Sequence, residues 1–131
     1  MCKVGDILLI RNYIHNGQNL KRHSFVVLDD KAGIIQGLEY DLVTNVMSSF
    51  KDEEHRKKKM DYSGNFPITH DDSNVVNGND RDGYIKTDQF YYFNKDKTDF
   101  TVIGSLNPDI FNLLLEFIKD LEQREIIIDN L

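Results

Sequence analysis

The sequence predicts a mainly β domain, a small barrel accompanied by one short middle helix and one long C-terminal helix. Three observations carry this expectation. Short β-prone segments recur between clusters of Gly, Asn and Asp. A charged stretch midway along the chain places its acids first and its bases last, the polarity a helix dipole favours. An amphipathic stripe opens directly behind Asn107-Pro108. No repeat or low-complexity linker interrupts the 131 residues, so a single domain spanning 1–131 is expected. Its barrel would occupy about 4–106, its C-terminal helix about 108–123 and a tail 124–131.

The strands read in order as follows. Gly5 to Asn12 is short and aliphatic, and the turn pair Asn16-Gly17 lies beyond it. His23 to Leu28 forms a second strand, closed by Asp29-Asp30, and Ile34 to Leu38 a third between two glycines. Tyr40 to Met47 is the fourth, with Leu42 and Val46 on one face and Val43 on the other. Lys51 to Lys59 is the short exposed helix. Asn65 to Thr69 reads as an edge piece because Pro67 cannot donate to a ladder, and His70 to Asp82 reads as a polar loop. Tyr84-Ile85, Phe90 to Phe93 and Phe100 to Gly104 are the late strands. In the final helix Asn107 caps, Pro108 takes the first position and Asp109 follows. Ile110, Leu114, Phe117 and Leu121 form one stripe, beside Phe111, Leu115 and Ile118. That face is expected to pack on the barrel, with a partner groove as the alternative. Ile126 to Ile128 is left as an edge strand or a further contact.

Composition narrows the function. Hydrophobic residues at 40% and charged residues at 29% describe a globular chain rather than a disordered one. No apolar run reaches bilayer length, and no apolar leader follows Met1-Cys2-Lys3, so a cytoplasmic protein with no membrane partner is expected. Cys2 is the sole cysteine, which excludes an intrachain disulfide and gives no support to a thiolate metal site. A formal charge of −6 is wrong for a surface that grips nucleic acid everywhere, and leaves room only for a local cationic groove.

The order of the pieces resembles the MazF/PemK toxin family over nearly the whole chain. The residues carrying the resemblance are Gly5-Asp6-Ile7, the loop Tyr13 to Lys21, Arg22, and the strand Phe25 to Leu28. They continue through Asp41 to Ser49, the late loop Asn77 to Asp82 with Gly83-Tyr84-Ile85, the strand Phe100 to Gly104, and the helix Pro108 to Leu121. Two positions depart from the family pattern. His23 stands where Pro is usual, and the family's hydroxyl falls on Met47 or, one residue later, on Ser48. The resemblance implies an SH3-like β-barrel of the MazF/PemK/CcdB type, a homodimer, an antitoxin protein as partner, and cleavage of single-stranded RNA without metal or other cofactor.

That reaction needs a base for the ribose 2′-hydroxyl, a proton for the leaving 5′-oxygen and donors for the phosphoryl oxygens. Arg22 is the first expected catalytic residue, a planar fork of donors matched to phosphate. His23 could titrate near neutrality, yet strand alternation sends neighbouring side chains to opposite faces, which favours a structural role. Ser48 could donate to the scissile phosphate, whereas Ser49 with Asp52 resembles a helix cap; the two accounts weigh equally. Lys21, Arg56, Lys57 and Lys58, with Lys59, form the expected RNA-backbone contacts, a solvated helix end being the plainer reading of the run. Phe90 to Phe93 could stack bases, although core packing is commoner. His15, His55 and His70 are dispersed and set no metal-binding spacing. The rival expectation is a non-catalytic binding module on the same MazF/CcdB-type fold. It would act on a protein target such as a topoisomerase, or serve as a phage or host regulator. A third is a purely structural interaction domain.

Overall fold

A computed structural model describes residues 2–76 and 81–131. The chain opens with a long hairpin, β1 (Asp6–His15) and β2 (Gln18–Asp29), turned by Asn16 and Gly17 at φ of 52° and 76°. Two adjacent residues of positive φ match the right-handed strand twist, so the strands run on to the turn itself. The stretch expected as a loop, Tyr13 to Lys21, is therefore largely paired: Tyr13 opposes Leu20 and Asn12 opposes Lys21. A second tight turn at Gln36-Gly37 splits the expected third strand into β3 (Gly33–Ile35) and β4 (Leu38–Tyr40). Next follow β5 (Leu42–Ser49) and the helix α1 (Glu53–Met60). Then come β6 (Asn65–Ile68), a short 3-10 turn, β7 (Ser73–Val75), β8 (Gly83–Lys86) and β9 (Gln89–Phe93). After a second 3-10 turn the chain forms β10 (Phe100–Leu106), the helix α2 (Pro108–Lys119) and β11 (Glu125–Ile127). Of the expected loop His70 to Asp82, residues 77–80 lie outside the described residues; the stretch before them holds the 3-10 turn and β7.

The fold is mainly β and its sheet mostly antiparallel. Strands run in the order β11-β9-β5-β2-β1-β10-β7, with β8 added to β5 and β6 added to β8. Among the described residues the β11–β9 pair alone is parallel, and β3–β4 stands apart. Among the described residues these pairings do not close into a ring. No helix there is long and apolar enough to cross a membrane.

β5 organises the interior. Six consecutive residues from Leu42 to Met47 are buried, and they alternate between two cores. Leu42 and Val46 join Leu8, Ile10, Tyr13, Phe25, Tyr91 and Phe93 on one side. Val43 and Met47 join Ile7, Val26, Ile85 and the helix residues Leu114 and Ile118 on the other. Phe90, Tyr91 and Phe93 belong to these cores, so they offer no face to bases; burial also pushes the Tyr91 phenol well up from its ordinary value. Cys2 is buried in the first core, and that burial raises its thiol above the ordinary value.

The termini of the helices differ in detail from expectation. α1 is capped by Asp52, whose carboxylate accepts from the His55 N–H at 2.7 Å, whereas Ser49 is still part of β5. The helix therefore starts at Glu53, three residues later than a Ser49 cap would set it. α2 begins at Pro108 as expected and ends at Lys119, four residues short of 123, where the Asp120 N–H turns back onto the Phe117 and Ile118 carbonyls. Beyond it the isoleucine tail is an edge strand on β9. It is tied to the first hairpin by Asn130, whose amide accepts from the Ile14 N–H at 2.7 Å and donates to its carbonyl at 3.0 Å. His15 Nε2 adds a hydrogen bond to the Glu125 carboxylate at 3.0 Å.

Leu114 is fully buried under the sheet while its neighbour Leu113 is exposed. Leu114→Ala is expected to lower stability by about 2–5 kcal/mol through lost burial and the cavity left behind. Leu113→Ala should move the urea midpoint hardly at all.

Candidate functional site

The site arises where β5 changes partners. β2 and β5 pair from Asp29–Val43 to Ser24–Met47 and then part. β5 continues along β8, with Ser48 opposite Tyr84 and Ser49 opposite Gly83. Gly83 permits this contact, because a Cβ there would collide with the Ser48 carbonyl oxygen. Between the diverging β2 and β5 lies a hollow of about 500 Å³. His23 and Ser24 line it from β2, Met47, Ser48 and Ser49 from β5, and Gly83 and Tyr84 from β8. Lys51, His55 and Lys59 border it from α1 and the segment before it, and Ile68 and Arg81 complete the lining.

The chemistry of that lining is one-sided. Lys51, Lys59 and Arg81 supply cations, two imidazoles and three serines supply titratable or hydroxyl groups, and no carboxylate lines the hollow among the described residues. On a chain of net charge −6 such a concentration makes a local anion site.

Both imidazoles are held by hydrogen bonds of their own. His23 Nδ1 lies 3.1 Å from the Tyr13 hydroxyl and 3.2 Å from the Lys21 carbonyl. Tyr13 is a buried core residue in edge-to-face contact with the His23 ring, and burial raises its phenol, so it stays a neutral hydroxyl. His55 Nδ1 accepts from the Lys51 backbone N–H at 3.1 Å. Tyr84 stacks on Phe50 at 5.2 Å, and the Arg56 guanidinium sits over Phe50 at 5.3 Å.

Of the residues singled out from sequence, His23, Ser48 and Ser49 share this hollow, whereas Arg22, Lys21, Lys57 and Lys58 do not line it and are exposed. The alternation that argued against His23 holds, but it turns His23 rather than Arg22 into the hollow. Lys21 contributes its carbonyl instead of its charge. Arg56 lines a second hollow that adjoins the first through Lys51 and Arg81 and that also holds Asp52, Glu53 and Asp82. Hydrogen bonds from His70 hold the Asp82 carboxyl below its ordinary range. Lys59, the last of the expected basic run, does border the hollow, whereas Lys51, His55, Arg81 and Tyr84 were not expected as site residues. His55 and Lys59 carry a usable signal, since positions 55 and 59 are one helical turn apart and share a face.

The cationic surplus continues behind the hollow. Burial, and then the nearby Lys59 charge, lower the Lys86 pKa from its ordinary value. A lysine depressed in this way destabilises the fold while both folded and unfolded states are protonated, and the penalty fades as pH rises through its folded pKa. Lys86→Met is therefore expected to raise the urea midpoint at neutral pH, and the gain should shrink toward pH 10.5. Gly83→Ala should instead destabilise by more than about 1 kcal/mol, since the β5–β8 contact must open; backbone amide exchange of Ser48 and Ser49 would report the opening.

Compared with protein-family models, with curated proteins and with solved structures, the chain matches none of them.

Proposed function

We propose that this protein is an endoribonuclease for single-stranded RNA, working at the hollow between β2 and β5 without a metal ion. The observation that carries the reading is the cation-rich lining around His23, Ser48 and Ser49, free of carboxylates among the described residues, on an otherwise acidic chain. A phosphodiester is the ligand class that fits three cations and several neutral donors. Single strands fit better than duplex, because in-line attack needs a splayed nucleotide.

In the proposed reaction the ribose 2′-oxygen attacks phosphorus and its proton passes to His23 Nε2. The bond from phosphorus to the 5′-oxygen breaks, and that oxygen takes a proton from water entering the open hollow. The products are a 2′,3′-cyclic phosphate and a 5′-hydroxyl, and His23 returns its proton to solvent. Lys51, Lys59 and Arg81 offset the charge that builds on the phosphoryl oxygens, the task first expected of Arg22. Ser48 or Ser49 adds a hydroxyl donor.

The resemblance to MazF/PemK toxins extends the proposal. It adds an SH3-like barrel, a homodimer, a cytoplasmic setting, and an antitoxin whose acidic segment would enter the same cationic hollow. A second reading draws on Arg22 lying outside the hollow: a non-catalytic module of this fold that binds an anionic partner and cleaves nothing.

Incubating the purified protein with single-stranded RNA in excess chelator separates the two. Cleavage to cyclic-phosphate ends is expected, reduced about 100-fold or more by His23→Ala and little changed by Arg22→Ala. Salt-sensitive binding with intact RNA would favour the binding module, and cleavage that survives His23→Ala would remove His23 from the mechanism.

A further inference from the structure

The two imidazoles in the hollow are held by opposite hydrogen-bond patterns, and this difference reaches beyond the reading above while resting on it. His23 Nδ1 has two neighbours, the Tyr13 hydroxyl at 3.1 Å, which can donate or accept, and the Lys21 carbonyl at 3.2 Å, which only accepts, so a proton on Nδ1 serves both contacts and a bare Nδ1 serves Tyr13 alone. With Nδ1 protonated, the neutral His23 ring carries its free lone pair on Nε2. At His55 the partner is a backbone N–H, which only donates, so the 3.1 Å contact with Lys51 requires a bare Nδ1. The neutral His55 ring then carries its proton on Nε2.

We infer that His23 and His55 divide the work in the hollow, His23 accepting the 2′-proton at Nε2 and His55 donating a hydrogen bond from Nε2 to a phosphoryl oxygen. His55 does not transfer its proton. Giving up the only proton of a neutral imidazole would leave an imidazolate, and a second proton on Nδ1 would face the Lys51 N–H head on. It therefore acts as a fixed dipole aimed at developing charge. His55 is placed for this by its own helix: it follows the Asp52 cap by three residues, its N–H is the group that Asp52 accepts from, and its ring lies against Tyr84 and Phe50. Tyr13 is the matching positioning residue for His23, fixed in the first core and bonded to Nδ1 at 3.1 Å.

The division predicts an asymmetry that two equivalent histidines would not give. A glutamine amide can place an N–H near the Nε2 position but cannot take up a proton. His55→Gln should stay within about tenfold of the wild-type rate, whereas His55→Ala should lose about 100-fold. His23→Gln should be as inactive as His23→Ala. Two readouts on the whole chain do not depend on cleavage. Long-range nitrogen–proton NMR correlations above pH 8 should find the ring proton on Nδ1 in His23 and on Nε2 in His55. Inorganic phosphate should shift the His55 ring signals, and its binding should weaken in His55→Ala and be kept in His55→Gln. Identical tautomers in the two rings, or phosphate binding indifferent to His55→Ala, would overturn the inference. If RNA stays intact while tautomers and phosphate behave as expected, the nuclease reading fails and the assignment of donor and acceptor stands.

Discussion

Burial of β5 on both faces is the constraint from which the remaining structure takes its position. A strand with apolar side chains on each side must be covered twice, by the aromatic core around Phe25 and Tyr91 and by α2 through Leu114 and Ile118. Full coverage ends at Met47. The next two residues are serines, only half-buried and exposed, and there β2 turns away while β8 stays. The hollow is thus the place where the apolar pattern of one strand runs out. Its polarity follows from the sequence of β5 itself, since the residues after Met47 no longer need a dry neighbour.

Charge is segregated on the same plan. The bases that α1 carries at its C-terminal end complement the helix dipole, and Lys59 among them borders the hollow, while Glu53 and Glu54 occupy the first turn. Asp52, Glu53 and Asp82 line the second hollow beside Arg56, and Lys51 and Arg81 are shared between the two. One short helix with a simple capping pattern is enough to sort the charges.

Much of this arrangement was legible in residue order. The alternation of Leu42, Val43 and Val46 places each in the core the period of two demands, and Asn107-Pro108 sets the start of α2. The Asn16-Gly17 pair was visible, but its reach was not. A two-residue turn fixes the strands right up to itself, and polar residues such as Asn12 and Lys21 pair there without an apolar pattern to announce them. The capping competition between Ser49 and Asp52 was decided by tertiary context: Gly83 gives Ser49 a strand partner, so the cap falls to Asp52. His55 was hidden for a related reason. Its worth comes from meeting His23 across 32 positions of sequence, a distance that periodicity within one helix does not encode.

The bond pair between Asn130 and Ile14 joins positions 116 residues apart, and Ile127 completes the same core that Leu8 and Ile10 begin. Until residue 130 has emerged from the ribosome, the backbone of Ile14 lacks these partners and the edge of β9 lacks β11. Docking of β11 must therefore come long after β1 and β2 have emerged. Contacts of such sequence separation close slowly because loop entropy is lost before any contact energy returns. A newly made chain would pass through an interval with its first hairpin formed and its last strand loose.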